Sequence, residues 1–209
     1  EGILAGLFHA WRRVDVSRHV NVVGTCAKAG LHHRVVCEAY TGVAGHIDSI
    51  FLHQRSQRIG LHGNNKSTRE IARAIAAGVG AIVIDSEIEI ERIAAAAAAQ
   101  DKIQPVRLRV NTGVHANTHD FLATAREDQK FGISIADAPS LVAKIRSHRH
   151  LTFLGLHSHI GSQIHSRDGF IEAVRRLVKL HAELSTVEEV TELNLGGGFG
   201  VNYRPSDEA

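Results

Sequence analysis

Two cysteines in 209 residues, Cys26 and Cys37, are too few for a disulfide scaffold and lack the C-x-x-C spacing of a metal or redox site. A reducing, cytoplasmic setting fits that usage best. No stretch reaches the roughly 20 apolar residues of a membrane span. The N-terminus, Glu1-Gly-Ile-Leu-Ala, lacks the basic-then-apolar order of an export signal. An excess of one charge is also missing. Lys+Arg number 24 against 22 Asp+Glu, a net charge of +2, so a nucleic-acid or anionic-membrane surface would need a local cluster. The densest basic group, Arg146, His148, Arg149 and His150, sits where a helix should end, and the helix dipole favours cations there. Fifteen histidines are many, but most are scattered singly, so a metal site is not expected.

What is present is the composition of a globular α/β protein. Hydrophobic residues make up 44% and charged residues 22%, enough for a substantial core. From Arg58 onward the chain reads as strand-then-helix units, the pattern of a parallel sheet or barrel. Arg58 to His62 is a short apolar strand, and Ser67-Thr-Arg-Glu70 opens a helix as a capping box, closed by Gly78 and Gly80. Gly80 to Asp85 is a continuous apolar strand buried on both faces, and Ser86-Glu-Ile-Glu89 repeats the capping box before an alanine-rich helix. Pro105 to Asn111 is the next strand, followed by a long polar stretch, Thr112 to Gln129, read as a functional loop. A helix starts at Asp137 with Pro139 in its first turn. Strand Leu151 to His157, loop Ser158 to Arg167, helix Asp168 to Leu184 and strand Glu192 to Leu195 complete the pattern.

Residues 1–57 differ in character from residues 58–209. They contain no proline and show weak periodicity, with Val20 to Cys26 as one candidate strand and Lys28 just beyond its end. The strands read this way fall short of the eight that close a (β/α)8 barrel, so a partial barrel is expected.

Active groups of such a barrel gather where strands end. Gly196-Gly-Gly-Phe-Gly200 follows a strand, and glycines there let backbone N–H groups approach a phosphate closely. His157-Ser-His-Ile-Gly-Ser-Gln163 supplies a hydroxyl at Ser162 for phosphate and a flat ring at His159 for stacking on a heteroaromatic ligand. His62-Gly-Asn-Asn-Lys-Ser67 offers amides that can order a polar ligand or its neighbours. Each motif alone is equally compatible with an ordinary turn.

Together the motifs resemble the diaminopimelate decarboxylases. The matching stretches are HGNNKS at His62, DSEIEIE at Asp85, LRV at Leu108, THDFLATAREDQKFG at Thr118, GLHSHIGSQI at Gly155 and LNLGGGFGVNY around Asn194, covering about residues 58–205. The resemblance implies a pyridoxal 5'-phosphate (PLP) enzyme of fold-type III, with an alanine-racemase-like (β/α)8 TIM barrel shared by the group IV decarboxylases, plus a C-terminal β-domain that this chain is expected to lack. It implies removal of carbon dioxide from a small amino-acid substrate, meso-diaminopimelate, to give L-lysine, by a homodimer. It implies that His159 stacks on the pyridine face, that Ser162 with the backbone of Gly197 and Gly198 cradles the phosphate, and that Arg109 is a polar neighbour of the cofactor ring. Lys28, in Cys26-Ala-Lys-Ala29, resembles the family's lysine motif over three or four letters, and such a lysine must lose its proton to bond the cofactor.

Two departures set further expectations. The interval from Lys28 to His62 is shorter than the family leaves for a helix and a strand, as a shifted reading frame or a deletion would produce. The family's acidic partner of the pyridine nitrogen, its arginine-containing phosphate loop and its dimer-completing cysteine and tyrosine all follow the GGGFG segment. A chain ending at Ala209 is therefore expected to be a weakly active or inactive piece. The competing readings are a non-catalytic PLP-binding or scaffold protein and a decarboxylase of the arginine or ornithine type.

Overall fold

A computed structural model describes residues 22–25, 34–37, 59–114, 131–162, 164 and 167–199. The chain divides into two compact units, one made of Glu1–Tyr40, Asn111–Gln129 and His157–Ala209, the other of Thr41–Val110 and Lys130–Leu156.

The second unit is built from strand-helix repeats. Its strands are β3 (Gly60–Leu61), β4 (Ala81–Ile84), β5 (Gln104–Asn111), β6 (Ile133–Ser134) and β7 (Leu151–His157), of which β5 and β7 run into the other unit at their last residues. The order is β7-β5-β4-β3, with β6 on β5. Strand β4 lies parallel to both neighbours, Leu61 opposite Ile82 and Ile84 opposite Leu108. All four residues of β4 are buried, as its unbroken Ala-Ile-Val-Ile run requires of a strand covered on both faces.

Helix α1 (Thr68–Ala77) begins as the sequence says. Ser67 Oγ accepts the Glu70 N–H at 3.2 Å and the Glu70 carboxylate accepts the Ser67 N–H at 2.8 Å, the reciprocal capping box. The Ser67 hydroxyl and N–H beside it hold the Glu70 carboxyl below the ordinary carboxylate range. At the other end Gly78 takes φ of 71°, and the Val79 N–H reaches back to the Ala74 carbonyl at 3.2 Å. Gly80 takes no part in the stop. Ile71, Ala74 and Ile75 form the buried face, spaced three and four apart.

Helix α2 (Glu87–Ala98) begins otherwise than the sequence suggests. Ser86 makes no side-chain cap, and the Glu89 carboxylate that would have closed the box on the Ser86 N–H accepts the Asp85 N–H and faces Lys66 instead. The alanines let α2 lie close to α1. Ala94 and Ala97 are buried, and Gln100 Nε2 donates across to the Ala72 carbonyl at 3.0 Å. Lys102 Nζ donates to the carbonyls of Ile75 and Ala76, so a cation closes the C-terminus of α1. Helix α3 (Ala138–Ser147) has Pro139 in its first turn and ends at His148, so the basic cluster does mark a helix end. Ile71, Ile75, Ile82, Ile84, Ile90, Ile93, Leu108 and Ile145 are among the largest fully buried side chains. Each contributes about 1.5–3 kcal/mol by leaving water.

The first unit contains β1 (Val22–Thr25), β2 (Arg34–Cys37), β8 (Glu192–Asn194) and helix α4 (Arg167–Ser185). Strands β1 and β2 pair antiparallel, Val23 opposite Val36, and β2 runs parallel to β8, Val36 opposite Asn194. The antiparallel pair departs from the parallel pattern of the later units, and chain length explains it. Residues 26–33 are fewer than the dozen or so that a parallel crossover needs. Helix α4 buries Ala173, Val174, Leu177, Leu180, His181 and Leu184 along one face. Val114, Ile160, Ile164 and Ala173 form a small apolar cluster with Phe170 against it, and Phe170 stacks on Phe199 at 4.7 Å between ring centroids.

Candidate functional site

In the first unit two strand ends are laced together. The Ser158 N–H, just beyond β7, donates to the Asn194 carbonyl at 2.9 Å, and the Ile164 N–H donates to the Gly198 carbonyl at 2.9 Å. The loop 158–164 and the loop 195–199 therefore run side by side, ending in a parallel bridge between Ile164 and Phe199. Nothing larger than glycine fits between them. A Cβ at Gly198, where φ is 99°, would collide with the Gly161 carbonyl oxygen and sit 3.3 Å from His159 Cε1. A Cβ at Gly196, where φ is 70°, would collide with the Ser158 carbonyl oxygen and lie 3.2 Å from His159 Cα.

The turn at Gly196 is set by its own strand. Asn194 Oδ1 accepts the Gly196 N–H at 2.8 Å, an Asx turn, and the same device closes β5, where Asn111 Oδ1 accepts the Gly113 N–H at 2.8 Å. Gly113 has φ of 67°, so the two Asn-x-Gly turns share their left-handed glycine.

Of the residues expected at a cofactor site, His159 and Gly198 are in contact range of one another, with Gly197 buried and Ser162 exposed on the adjoining loops. Arg109 belongs to the other unit. Lys28 lies outside the described residues. Two atoms that the sequence did not single out are Thr112 Oγ1 and Asn194 Nδ2. Both are buried and have no hydrogen-bond partner among the described residues, a state native proteins seldom leave unexplained. The orphaned Asn194 Nδ2, at the root of a glycine-only loop, fits a polar, phosphate-bearing group, for which closely approachable backbone is the usual cradle.

The second unit carries its own cluster. Arg109 Nη1 pairs with Asp85 Oδ1 at 3.0 Å, and its guanidinium carbon lies 5.2 Å from the centre of the Phe131 ring. Behind this pair is a buried ion pair, Lys66 Nζ to Glu89 Oε2 at 2.7 Å, with both side chains at most 3% exposed. The sequence pointed to the amides of HGNNKS; Asn64 and Asn65 are exposed, and the buried, paired side chain of the segment is Lys66. The signal for it was present: a lysine in the loop after one apolar strand, and an i, i+2, i+4 run of glutamates, Glu87, Glu89 and Glu91, after the next. Among the described residues no group of three or more His, Cys, Asp or Glu could hold a metal ion, and no helix is long and apolar enough to cross a membrane.

Comparison with known proteins meets this geometry from outside. The sequence profile of the pyridoxal-dependent decarboxylases, pyridoxal binding domain, matches residues 15–209. The diaminopimelate decarboxylase of Mycobacterium tuberculosis is 45% identical over 160 residues, covering 73% of this chain and 36% of that protein. That of Staphylococcus aureus is 45% identical over 154 residues, covering 73% and 35%. The crystal structure of diaminopimelate decarboxylase from M. jannaschii in complex with L-lysine superposes with a TM-score of 0.66 at 30% identity, covering 73% of this chain and 36% of that one. The chain thus spans about a third of the length of these relatives. The partial (β/α)8 barrel expected from the strand-helix units is the fold that it shares with them. With a profile match that takes in nearly the whole chain, the protein belongs to the pyridoxal-dependent decarboxylases, through their pyridoxal-binding domain.

Proposed function

We propose that this chain is the cofactor-binding part of a diaminopimelate decarboxylase, a carboxy-lyase that converts meso-diaminopimelate to L-lysine and carbon dioxide. The observation that carries the reading is the glycine-only contact of the Gly196 to Gly198 loop with the loop bearing His159, in a chain 45% identical to a named diaminopimelate decarboxylase over 160 residues. In this reading Ser162 and the backbone of Gly197 and Gly198 hold the phosphate of PLP. The His159 ring packs on the pyridine face, and Arg109 is a polar neighbour of the ring.

When bound, PLP supplies the electron sink for the carbanion left as carbon dioxide departs. The protein's own share is to hold and orient. Lys28 attaches the cofactor, and its amine must shed a proton first, which burial or a nearby cation promotes by lowering its pKa from about 10.4. Asn194 and Asn111 keep the two strand-end turns in the conformation that their glycines allow. The working form is a cytoplasmic homodimer.

Substrate choice decides between this reading and a relative of different specificity. The enzyme of which this chain is the cofactor-binding part, supplied with PLP, should release carbon dioxide and L-lysine from meso-diaminopimelate, followed by carbon dioxide capture and amino-acid chromatography, and leave L-ornithine and L-arginine untouched. Carbon dioxide from either of those two instead would overturn the substrate assignment. PLP bound with no carbon dioxide from any of the three would favour a non-catalytic binding role.

A further inference from the structure

We propose that Lys66 and Glu89 are positioning residues that aim Arg109 by fixing the backbone of Asp85. The links are short and buried. Lys66 Nζ is directed by two carbonyl oxygens, those of Gly63 and Val83, the latter at 2.8 Å, and its remaining proton goes to Glu89 Oε2 at 2.7 Å. The ammonium has three N–H donors, so this set occupies all of them. Glu89 Oε2 also accepts the Asp85 N–H at 2.8 Å. Asp85 in turn places Oδ1 3.0 Å from Arg109 Nη1, and the Phe131 ring bounds the guanidinium on another side.

Two features give the arrangement a geometric rather than a stabilising role. A buried ion pair contributes little net stability compared with an apolar pair of the same size. Glu89 also gives up the helix cap it could have made at Ser86, and leaves Oε1 without a partner among the described residues, to put both of its bonds on Oε2. The result is one rigid path from the loop after β3, through the first turn of α2, to the carboxylate that faces Arg109. Lys66, with every donor committed, is correspondingly no candidate for attaching a cofactor.

The proposal rests on the reading of Arg109 as a cofactor neighbour only for its functional weight, and two readouts separate the parts. Lys66→Met alone strands a buried carboxylate and can fail to fold, so the informative variant is Lys66→Met with Glu89→Leu, which removes both charges. In protein carrying 15N-labelled arginine, with Arg109→Lys to assign the signal, the Arg109 guanidinium resonance should be distinct and slowly rotating. In the double variant it should collapse onto the position of exposed arginines. An unchanged resonance in a folded double variant overturns the positioning role, whatever the cofactor does. PLP titration followed by absorbance is the second readout: Arg109→Ala and the double variant should each weaken binding by about tenfold, and combining them should weaken it no further. Losses that multiply in the combined variant overturn the path through Arg109. No effect of Arg109→Ala on PLP overturns the cofactor reading of that residue and leaves the resonance to decide the positioning.

Discussion

Gly198→Ala is expected to weaken PLP binding by about 100-fold or more, near 2.7 kcal/mol, in a protein that still unfolds cooperatively. The added methyl collides with the Gly161 carbonyl oxygen and lies 2.9 Å from its carbon, backbone atoms that cannot rotate away. The φ of 99° is also a conformation that a residue with a Cβ rarely adopts. Relief requires the loop 195–199 to lift off the loop 158–164, which breaks the Ile164 to Gly198 hydrogen bond and moves His159. Gly113→Ala separates strain from collision. There φ is 67° but the nearest atom to a Cβ is the flexible Arg176 Nη1 at 3.4 Å, so stability should fall by about 1–2 kcal/mol with PLP affinity nearly unchanged. Equal effects of the two substitutions on PLP affinity would mean that the glycine loop is a turn and not a cradle.

The second large effect is on stability. Lys66→Met should cost about 3–5 kcal/mol, because Glu89 is left charged, buried and unpaired. That is a large share of the roughly 5–15 kcal/mol that holds a domain folded. In a domain of this size it should lower Tm by about 10 °C or more, measured by circular dichroism. Adding Glu89→Leu should return most of the loss, since the pair as a whole contributes little net stability. A Lys66→Met protein with the parent's Tm would show that the pair is not buried in solution.

Much of the fold is written locally and was legible. Strand β7 runs from Leu151 to His157 as read, and the Ser67 and Glu70 capping box and the Gly78 stop are where their residue types put them. Each depends on partners three or four residues away. The second capping box was not legible, because Glu89 chooses between the cap at Ser86 and a lysine 23 positions upstream in the chain, and only tertiary packing decides that choice. Strand β6, two residues long, carries too little pattern to be read at all. At the site, the glycines and His159 were legible as residue types, since a loop that must touch another backbone admits little else. The roles of Asn194 and Thr112 were not, because an orphaned buried atom is visible only once its surroundings are known. The recurring Asn-x-Gly after β5 and β8 was the one available hint. The expected strand around Val20 to Cys26 is present as β1, while most of the loop Thr112 to Gln129 lies outside the described residues.

The most direct test of a PLP-holding domain is to locate the lysine that takes the cofactor. The protein is mixed with PLP, reduced with borohydride, digested and mapped by mass spectrometry, with Lys28→Ala as control. Label confined to Lys28 and lost in the control is the expected result. Label on Lys66, or spread over Lys102, Lys144 and Lys179 and unchanged by Lys28→Ala, would contradict a built cofactor site in this chain.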